Sequence, residues 1–192
     1  MDLIFASHNE NKVFEIANLV GNKYKILSLN DINFKEDIIE NGSTLQENAL
    51  IKARTIFSET GKNCFADDTG LLVKSLNNEP GVYSARYAGE QKNADDNMNL
   101  LLLNLNNKTD RQAKFTTVIT LIINGKEFIF EGELAGSIIL EKKGSNGFGY
   151  DPIFKPNGYI NTLAQLDITE KNKISHRALA FKKMNDFLKV YK

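Results

Sequence analysis

The stretch Leu3-Ile4-Phe5-Ala6-Ser7-His8-Asn9-Glu10-Asn11-Lys12 contains the transition that decides the fold of this chain. Four consecutive apolar residues predict a buried strand, and the polar residues that follow predict a loop. From Asn11 onward the apolar residues recur at helical spacing as far as Gly21, which predicts a helix that ends there. A strand followed by a helix is the repeating unit of α/β proteins, so this stretch predicts an α/β fold.

The rest of the chain continues this alternation and then changes to antiparallel strands. Thr44-Leu45-Gln46-Glu47 is a capping box, which predicts a second helix that ends near Gly61. Asn124-Gly125 between two β-rich runs predicts a hairpin. The other predicted elements are strands at 25–27, 63–66, 115–123 and 126–133, helices at 95–105 and from Ser175 onward, and a long loop at 141–159. This order predicts a mixed β-sheet, with no linker that divides residues 1–192 into independent domains.

Composition narrows the class of protein. The 192 residues include 24 basic and 24 acidic side chains, so no overall positive charge favours nucleic acid as a partner. Cys64 is the single cysteine, which excludes a disulfide within the chain, fits a reducing cytoplasm and predicts a small core residue. The apolar runs are too short to span a bilayer, and the first residues do not resemble a signal peptide. We therefore expect a soluble cytoplasmic protein.

Phe65-Ala66-Asp67-Asp68-Thr69-Gly70 places two adjacent carboxylates at the end of a short apolar run. Two ionised side chains this close repel each other unless a cation or a base offsets them. A strand end that carries such a pair into a crevice is suited to hold Mg2+ against phosphate oxygens. Asp, Thr and Gly are also common in exposed turns, so an acidic turn is the alternative interpretation.

Two further segments carry groups suited to a phosphate chain. Ser7 to Lys12 precede a helix whose unpaired amides and dipole favour an anion, although a plain capped helix is the alternative. Glu40 precedes the second helix and Lys52 lies on it. Glu40 can be a surface charge that the helix dipole favours, whereas Lys52 and the nearby Arg54 can each face an anionic cleft or remain solvated.

Three other segments are candidates for ligand contacts. Gly147-Phe148-Gly149-Tyr150-Asp151-Pro152 presents a flat ring and a carboxylate, which suit a nucleobase or another planar ring. Ser175-His176-Arg177 supplies directed donors, although a histidine in a first helical turn is often structural. The loop at 81–89 predicts a lid, a self-association surface or a packed Ω-loop. Acids for a metal, amides and a cation for phosphates, and a ring with donors for a base are together what a nucleoside triphosphate needs.

These motifs, in this order, resemble those of the inosine triphosphate pyrophosphatase family, which are Mg2+-dependent hydrolases. The family cleaves deaminated purine nucleoside triphosphates to the monophosphate and pyrophosphate. The resemblance runs from the first strand to the last helix and rests on residues 7–12, 47–49, 52–54, 66–71, 81–87 with Gly89, 147–154 and 174–177. It implies a long mixed β-sheet flanked by helices, two lobes with a substrate cleft between them, and a homodimer.

The resemblance also implies a role for each matching position. Asp68 is expected to hold Mg2+ together with Glu40 and to accept the proton of the attacking water. Asp67 is expected to tune the pKa of its neighbour, because one of two close carboxylates tends to have a raised pKa. The residues expected around the triphosphate are Ser7, His8, Asn9, Glu10, Asn11 and Lys12, and Lys52 and Thr69 are expected near it. Those expected around the purine are Phe148, Gly149, Tyr150 and Asp151. At the oxygen-bearing edge of the purine the expected contacts are His176 and Arg177, and Lys171 is expected close to the substrate.

The predicted function is therefore Mg2+-dependent hydrolysis of ITP, dITP and XTP, which removes them from the nucleotide pool. Hypoxanthine and xanthine carry a carbonyl at position six, whereas adenine carries an amino group, so donors from Arg177 or His176 satisfy only the former. Two alternatives are a pyrophosphatase of different base preference and a non-catalytic nucleotide-binding regulator. The predicted partners are the nucleoside triphosphate and a second copy of the chain, and neither nucleic acid nor a membrane.

Overall fold

The computed structural model describes residues 1–20 and 24–191, so Gly21 and the predicted helix end there lie outside the described residues. The strands are β1 (Asp2–Phe5), β2 (Lys25–Leu27), β3 (Cys64–Val73), β4 (Glu79–Gly81), β5 (Gln112–Ile123), β6 (Lys126–Ile138) and β7 (Phe154–Pro156). The helices are α1 (Glu10–Val20), α2 (Leu45–Thr60), α3 (Ala94–Asn104), α4 (Ile168–Ile174) and α5 (His176–Val190). Short 3-10 helices occupy Lys74–Leu76, Ser84–Arg86, Asp151–Ile153 and Leu163–Gln165.

The seven strands form one mixed sheet. Its strand order is β2-β1-β3-β5-β6-β7, and β4 pairs with β3 beside this path. β1 runs parallel to both β2 and β3, whereas the pairs β3–β4 and β6–β7 are antiparallel. The predicted hairpin between β5 and β6 is confirmed, because Asn124 and Gly125 both have positive φ angles, of 51° and 73°. The predicted α/β class with a mixed sheet is correct.

The chain forms two compact units. Unit 1 comprises residues 1–68, 117–132 and 177–192, and unit 2 comprises residues 69–116 and 133–176. The chain passes between the units within β3, β5 and β6 and at the first turn of α5, and not through a linker. Three strands therefore contribute residues to both units.

Unit 1 has two apolar clusters because successive side chains of a strand point to opposite faces of the sheet. Leu3 and Phe5 of β1 pack with residues of α1 and α5, whereas Ile4 and Ala6 pack with residues of α2. Unit 2 has one apolar cluster, formed mainly by residues of β3, α3, β5 and the segment 150–166. No helix among the described residues is long and apolar enough to cross a membrane.

Helix α2 begins and ends where the sequence predicts. The Thr44 side chain accepts from the Glu47 amide, and the Glu47 side chain accepts from the Thr44 amide, which completes the capping box. Gly61 ends the helix in the left-handed conformation with φ 64°, which favours glycine. This helix carries several residues of the candidate site described below.

The predicted secondary structure was wrong in two segments. The strand expected at 63–66 continues to Val73, because residues 67–70 stay extended and Leu71 and Val73 are buried in the unit 2 cluster. The segment 141–159 is not only a loop, since it contains β7, whose backbone pairs with β6. Strand β4 and helix α4 were not predicted; they have three and seven residues, too few to show a clear period.

Cys64 is buried at the start of β3, as predicted, and its thiol donates to the Ala53 carbonyl at 3.3 Å. Burial raises the pKa of this thiol to about 12. Because the thiolate is the reactive form, we expect native protein at pH 8 to resist alkylation by iodoacetamide, and protein unfolded in urea to react fully. Mass spectrometry of both samples measures this, and rapid labelling of the native protein would contradict the burial.

Candidate active site

The two adjacent carboxylates lie within β3 and point to opposite faces of the sheet. Phe65 packs in the cluster with α1 and α5, and Ala66 packs in the cluster with α2. Asp67 and Asp68 continue this alternation, so each carboxylate has its own neighbours. The exposed turn considered as an alternative is therefore wrong, and so is the expectation that the pair ends the strand.

Asp67 is the centre of a buried ion-pair network. Its carboxylate accepts from Lys12 Nζ at 2.8 Å and from Arg177 Nε at 3.0 Å. The Arg177 guanidinium also donates through Nη1 to Glu15 at 2.5 Å. The Asp67 side chain is fully inaccessible, and that of Arg177 is 2% exposed. Helices α1 and α5 are thus joined to β3 by charged hydrogen bonds.

The electrostatics of Asp67 differ from the expected tuning of its neighbour. Burial alone raises the pKa of the Asp67 carboxyl, but the charges of Lys12 and Arg177 outweigh burial and hold this pKa well below its usual range. The pKa of Asp68 is raised, as expected, mainly because the carboxyl is buried. The charges of Lys52 and Lys12 oppose that shift, and Asp67 is only the weakest of its causes. Burial therefore tunes Asp68 more than its neighbour does.

Asp68 faces helix α2, where its two oxygens have different partners. Asn48 Nδ2 donates to Oδ2 at 3.2 Å, and Lys52 Nζ lies 3.6 Å from Oδ1. The same ammonium donates to Glu40 Oε2 at 2.5 Å. Burial lowers the pKa of Lys52, but the carboxylates of Asp68 and Glu40 outweigh it and raise this pKa. Lys52 is therefore a charged group shared by the two acids predicted to bind metal.

The loop between β1 and α1 lies beside β3, the acidic strand that carries Asp67 and Asp68. β1 and β3 are parallel with Phe5 opposite Phe65, and the Ala6 amide donates to the Phe65 carbonyl at 2.8 Å. The residues that follow β1 and the residues that follow Phe65 therefore lie at the same edge of the pairing, which explains how Lys12 reaches Asp67.

Residues 7–12 divide into two groups by their contacts. Asn9 Oδ1 accepts from the Asn11 and Lys12 amides at 3.0 and 3.2 Å, which caps α1. Ser7 Oγ accepts from the Asn9 amide at 3.2 Å. The other two side chains contact the segment 30–36, because His8 Nε2 hydrogen-bonds to the Glu36 carbonyl at 3.0 Å and Asn30 donates to Glu10 at 2.7 Å. The cap and Lys12 are thus the part of this loop nearest the acidic strand.

In unit 2, a buried ion pair supports the Phe148 loop. Lys171 Nζ donates to Asp151 Oδ2 at 2.5 Å, and both side chains are almost fully buried. The same carboxylate oxygen accepts from the Phe148 amide at 2.9 Å, and the ammonium lies 5.2 Å from the centre of the Phe148 ring. A Cβ atom on Gly147, whose φ is 74°, would lie 2.1 Å from this oxygen. Only glycine fits there, so Gly147 allows the loop to come this close to the Asp151 carboxylate.

The remaining predicted residues of unit 2 are distributed around this loop. His176 is buried and stacks on Phe115, with ring centres 4.6 Å apart. The Tyr150 hydroxyl donates to the Ser84 carbonyl at 2.9 Å, and burial raises the pKa of this hydroxyl. Gly149 has a φ of 64°, and Thr69 is half-buried in β3. Tyr150 is therefore anchored by its hydroxyl within unit 2.

The predicted residues thus form two groups with different chemistry. Unit 1 contains Lys12, the acidic residues and Arg177, and unit 2 contains the Phe148 ring, the Asp151–Lys171 ion pair and His176. Among the described residues no group of three or more His, Cys, Asp or Glu side chains could hold a metal ion. Asp68 and Glu40 nevertheless contact one ammonium, and two carboxylates are what Mg2+ commonly takes from a protein when phosphates and waters supply the rest.

Comparison with known proteins places this arrangement in a family. The model of the Ham1 family matches residues 3–187. The chain belongs to the Ham1 family. It is 53% identical over 192 residues to the dITP/XTP pyrophosphatase of Flavobacterium johnsoniae, with full coverage of both chains. The Ham1 proteins of Staphylococcus aureus and Coxiella burnetii are 39% and 38% identical, cover both chains fully and superpose with TM-scores of 0.90 and 0.91.

Two residues of this Ham1 chain contact the candidate site residues but were not predicted as such from the sequence, although Asn48 lies in the motif at 47–49. Glu15 completes the network around Arg177, and Asn48 contacts Asp68. The available signal for Asn48 was its place between the capping box and Lys52, on the helix face that carries Ala49 and is buried. A polar side chain on a buried face has a hydrogen-bond partner, which the sequence does not identify.

Proposed function

We propose that this protein hydrolyses deaminated purine nucleoside triphosphates to the monophosphate and pyrophosphate. The activity for which its full-length relative is named, dITP/XTP pyrophosphatase, supports the reaction and the substrate class. The observation in the structure that carries the proposal is the partly buried Asp68, which accepts a hydrogen bond from Asn48 and shares the Lys52 ammonium with Glu40. A partly buried carboxylate with a raised pKa, next to a cation, is suited to accept a proton from a water that attacks a phosphate.

Each residue of unit 1 then has a role in the reaction. Asp68 accepts the proton of the attacking water, and Lys52 moves from the acids to the phosphate oxygens as the nucleotide binds. Lys12 and the capped loop before α1 bind the triphosphate, because the helix start favours an anion. Asp68 and Glu40 would hold Mg2+, which supplies charge neutralisation at the phosphates when bound.

The residues of unit 2 recognise the base in this proposal. The Phe148 ring stacks on the purine, and the Asp151–Lys171 pair fixes that ring. In this proposal a donor from His176, or from Arg177 of unit 1, satisfies the carbonyl at position six of hypoxanthine or xanthine. The amino group of adenine would leave such a donor unpaired, at a cost of about 1–3 kcal/mol.

A product assay tests the proposed function. ITP, XTP, ATP and GTP are each incubated with Mg2+ and the protein, and pyrophosphate and orthophosphate are both measured. We expect pyrophosphate without orthophosphate, with kcat/KM for ITP and XTP at least roughly tenfold above ATP, which corresponds to about 1.4 kcal/mol. Similar turnover of all four would contradict the selectivity, release of orthophosphate would indicate another phosphohydrolase, and binding without turnover would indicate a regulator.

The Phe148→Ala variant tests the proposed base site. Loss of the stacked ring is expected to raise KM for ITP by about tenfold, since stacking of a base on an aromatic ring contributes about 1–3 kcal/mol. We expect kcat to change much less, because the ring does not touch the phosphates in this proposal. Steady-state kinetics measure both constants, and an unchanged KM would show that the ring only packs against Lys171.

A homodimer working in the cytoplasm completes the proposal. Tyr83 in the 81–89 loop is exposed, and the Arg86 guanidinium lies 5.3 Å from the centre of its ring. Exposed tyrosine and arginine side chains are enriched at protein interfaces, which supports a contribution of this loop to self-association.

A further inference from the structure

Asn48 connects the loop before α2, which contains Glu40 and Gly42, to β3, which contains Asp68. Its side chain is 1% exposed, and its Oδ1 accepts from the Gly42 amide at 2.8 Å. Its Nδ2 donates to Asp68 Oδ2 at 3.2 Å. Glu40 is two residues before Gly42, so a single amide group links the segments that carry both acids.

The orientation of this amide follows from its two neighbours. The Gly42 N–H is a donor and needs an acceptor, which is the carbonyl oxygen of the Asn48 side chain. An ionised Asp68 carboxylate is only an acceptor and needs a donor, which is the Asn48 amino group. In a flipped amide the Asn48 amino group would face the Gly42 N–H, two donors together, and the Asn48 oxygen would face the Asp68 carboxylate, two acceptors together. The buried environment therefore selects one orientation.

The loop is built against the first turn of α2. A Cβ atom on Gly42 would lie 2.6 Å from Glu47 Cβ and 2.7 Å from Asn48 Oδ1. Real atoms do not approach this closely, so the backbone reaches Asn48 only because residue 42 is a glycine. The capping box of Thr44 and Glu47 closes the same turn. The hydrogen bond from the Gly42 amide to Asn48 therefore fixes the loop against helix α2.

Lys52, one helical turn after Asn48, supplies the second restraint. It lies 3.6 Å from Asp68 Oδ1 and 2.5 Å from Glu40 Oε2. A cation that comes to the two acids must compete with this ammonium, whereas the Asn48 amide donates to the other Asp68 oxygen. The hydrogen bond from Asn48 can therefore persist when Lys52 moves.

We propose that Asn48 is a positioning residue that holds Asp68 and Glu40 in place for one divalent cation. Its contacts are with the Asp68 carboxylate and the Gly42 amide, so it acts through the two acids and not on the nucleotide. It acts by fixing the rotation of the Asp68 carboxylate and by anchoring the Glu40 loop to the same helix. This role rests on the proposed function, because it assigns the two acids to one cation.

The test compares Asn48→Ala with the unaltered protein. Mn2+ binding to nucleotide-free protein is titrated by electron paramagnetic resonance, and kcat and KM for ITP are measured at saturating Mg2+. Loss of a residue that orients a metal ligand typically lowers metal affinity or activity by about 10- to 100-fold, so the Kd for Mn2+ is expected to rise and kcat to fall by at least about tenfold. KM for ITP should change little, because Asn48 contacts neither the Lys12 loop nor the Phe148 loop.

Asn97→Ala is the matched control. Asn97 is also a buried asparagine on a helix, and its side chain bridges two backbone groups, accepting from Ala88 at 2.7 Å and donating to Ala85 at 3.0 Å. It lies in unit 2, so its loss should lower the melting temperature but leave Mn2+ affinity and kcat unchanged. An equal loss of Mn2+ affinity in both variants would overturn the proposal.

A second variant covers the case in which Asn48→Ala does not fold. Asn48→Asp has the same shape and still accepts from the Gly42 amide, but it cannot donate to Asp68. We expect kcat to fall by at least about tenfold again. Values of kcat and Mn2+ affinity within about twofold of the unaltered protein in both variants would overturn the proposal, as would the absence of millimolar Mn2+ binding in the unaltered protein.

The outcome is separable from that of the proposed function. If the unaltered protein binds Mn2+ but hydrolyses none of the triphosphates, the proposed function fails. The comparison of Mn2+ affinity between Asn48→Ala and Asn97→Ala still decides the role of Asn48 in that case.

Discussion

Replacement of Asp68 by asparagine is expected to lower kcat by about 10²- to 10⁴-fold, the usual contribution of a general base. Asparagine keeps the shape of the side chain and its acceptor for Asn48, but it cannot take a proton from water. The same change should not lower the melting temperature. Burial raises the pKa of Asp68, so the folded state disfavours the charged carboxylate and loses nothing when the charge is removed.

The combination of lost turnover and retained stability makes this prediction specific. Asp95→Asn is a suitable control, because Asp95 is an exposed acid that accepts from Lys142 at 2.5 Å. We expect its kcat to equal that of the unaltered protein. Kinetics with ITP and thermal melts of both variants provide the measurements, and near-normal turnover by Asp68→Asn would refute the assigned base.

The opposite result is expected for Asp67→Asn. This change removes the charge that Lys12 and Arg177 share, which lies on a side chain that is fully inaccessible to solvent. Breaking a buried ion pair by removing one partner costs about 3–5 kcal/mol, because the other charges stay buried without compensation. For a chain of this length each kcal/mol lowers the melting temperature by about 2–4 °C, so a decrease of roughly 6–20 °C is expected. KM for ITP should also rise, since Lys12 loses the group that orients it.

The pH dependence of this loss has a defined sign. The pKa of Asp67 is depressed in the folded state, so its contribution is fully present above the pKa of an unfolded aspartate, about 3.9. The contribution is lost as the pH falls through the lower folded value. Urea unfolding should therefore show a large difference between Asp67→Asn and the unaltered protein at pH 7, and a smaller one at pH 3.

An exposed ion pair provides the comparison for this second prediction. Arg54 donates to Glu127 at 2.7 Å, and its side chain is 60% exposed. Exposed pairs contribute about 0–1 kcal/mol, so Arg54→Gln should unfold almost as the unaltered protein does. If Asp67→Asn is no less stable than Arg54→Gln, then the buried network does not stabilise the fold.

Local sequence patterns were sufficient to predict the elements whose ends are fixed by interactions between residues close together in the chain. The capping box at Thr44 and the glycine at residue 61 mark both ends of α2, because cap hydrogen bonds form within one helical turn. Asn124-Gly125 marks the hairpin because both residues tolerate positive φ. The motifs that resemble a known family also led to the prediction of Asp68, Lys12 and Glu40 as site residues. In the structure Lys12 pairs with Asp67, and Lys52 lies next to both Asp68 and Glu40.

Elements that depend on distant partners were not predictable in the same way. β7 has three residues and exists because its backbone pairs with β6. β3 continues past Asp68 because Leu71 and Val73 are buried in the cluster of unit 2. The partner of Asp67 is Arg177, 110 positions away in the sequence, and no local pattern joins two residues at that separation. The sequence shows which side chains require a charged, hydrogen-bonding or apolar partner, whereas tertiary contacts decide which residue that partner is.

The alternation of side chains along β3 makes the spacing of this strand as important as its composition. Asp67 forms ion pairs with Lys12 of α1 and Arg177 of α5, whereas Asp68, the proposed base, faces α2, although the two acids are adjacent in the chain. Inserting or deleting one residue between Cys64 and Asp67 would turn each acid toward the helices of the other, because a shift of one position reverses the face of every side chain. Such a change would retain both carboxylates, yet it would exchange the acid that forms the buried ion pairs for the acid proposed as the base.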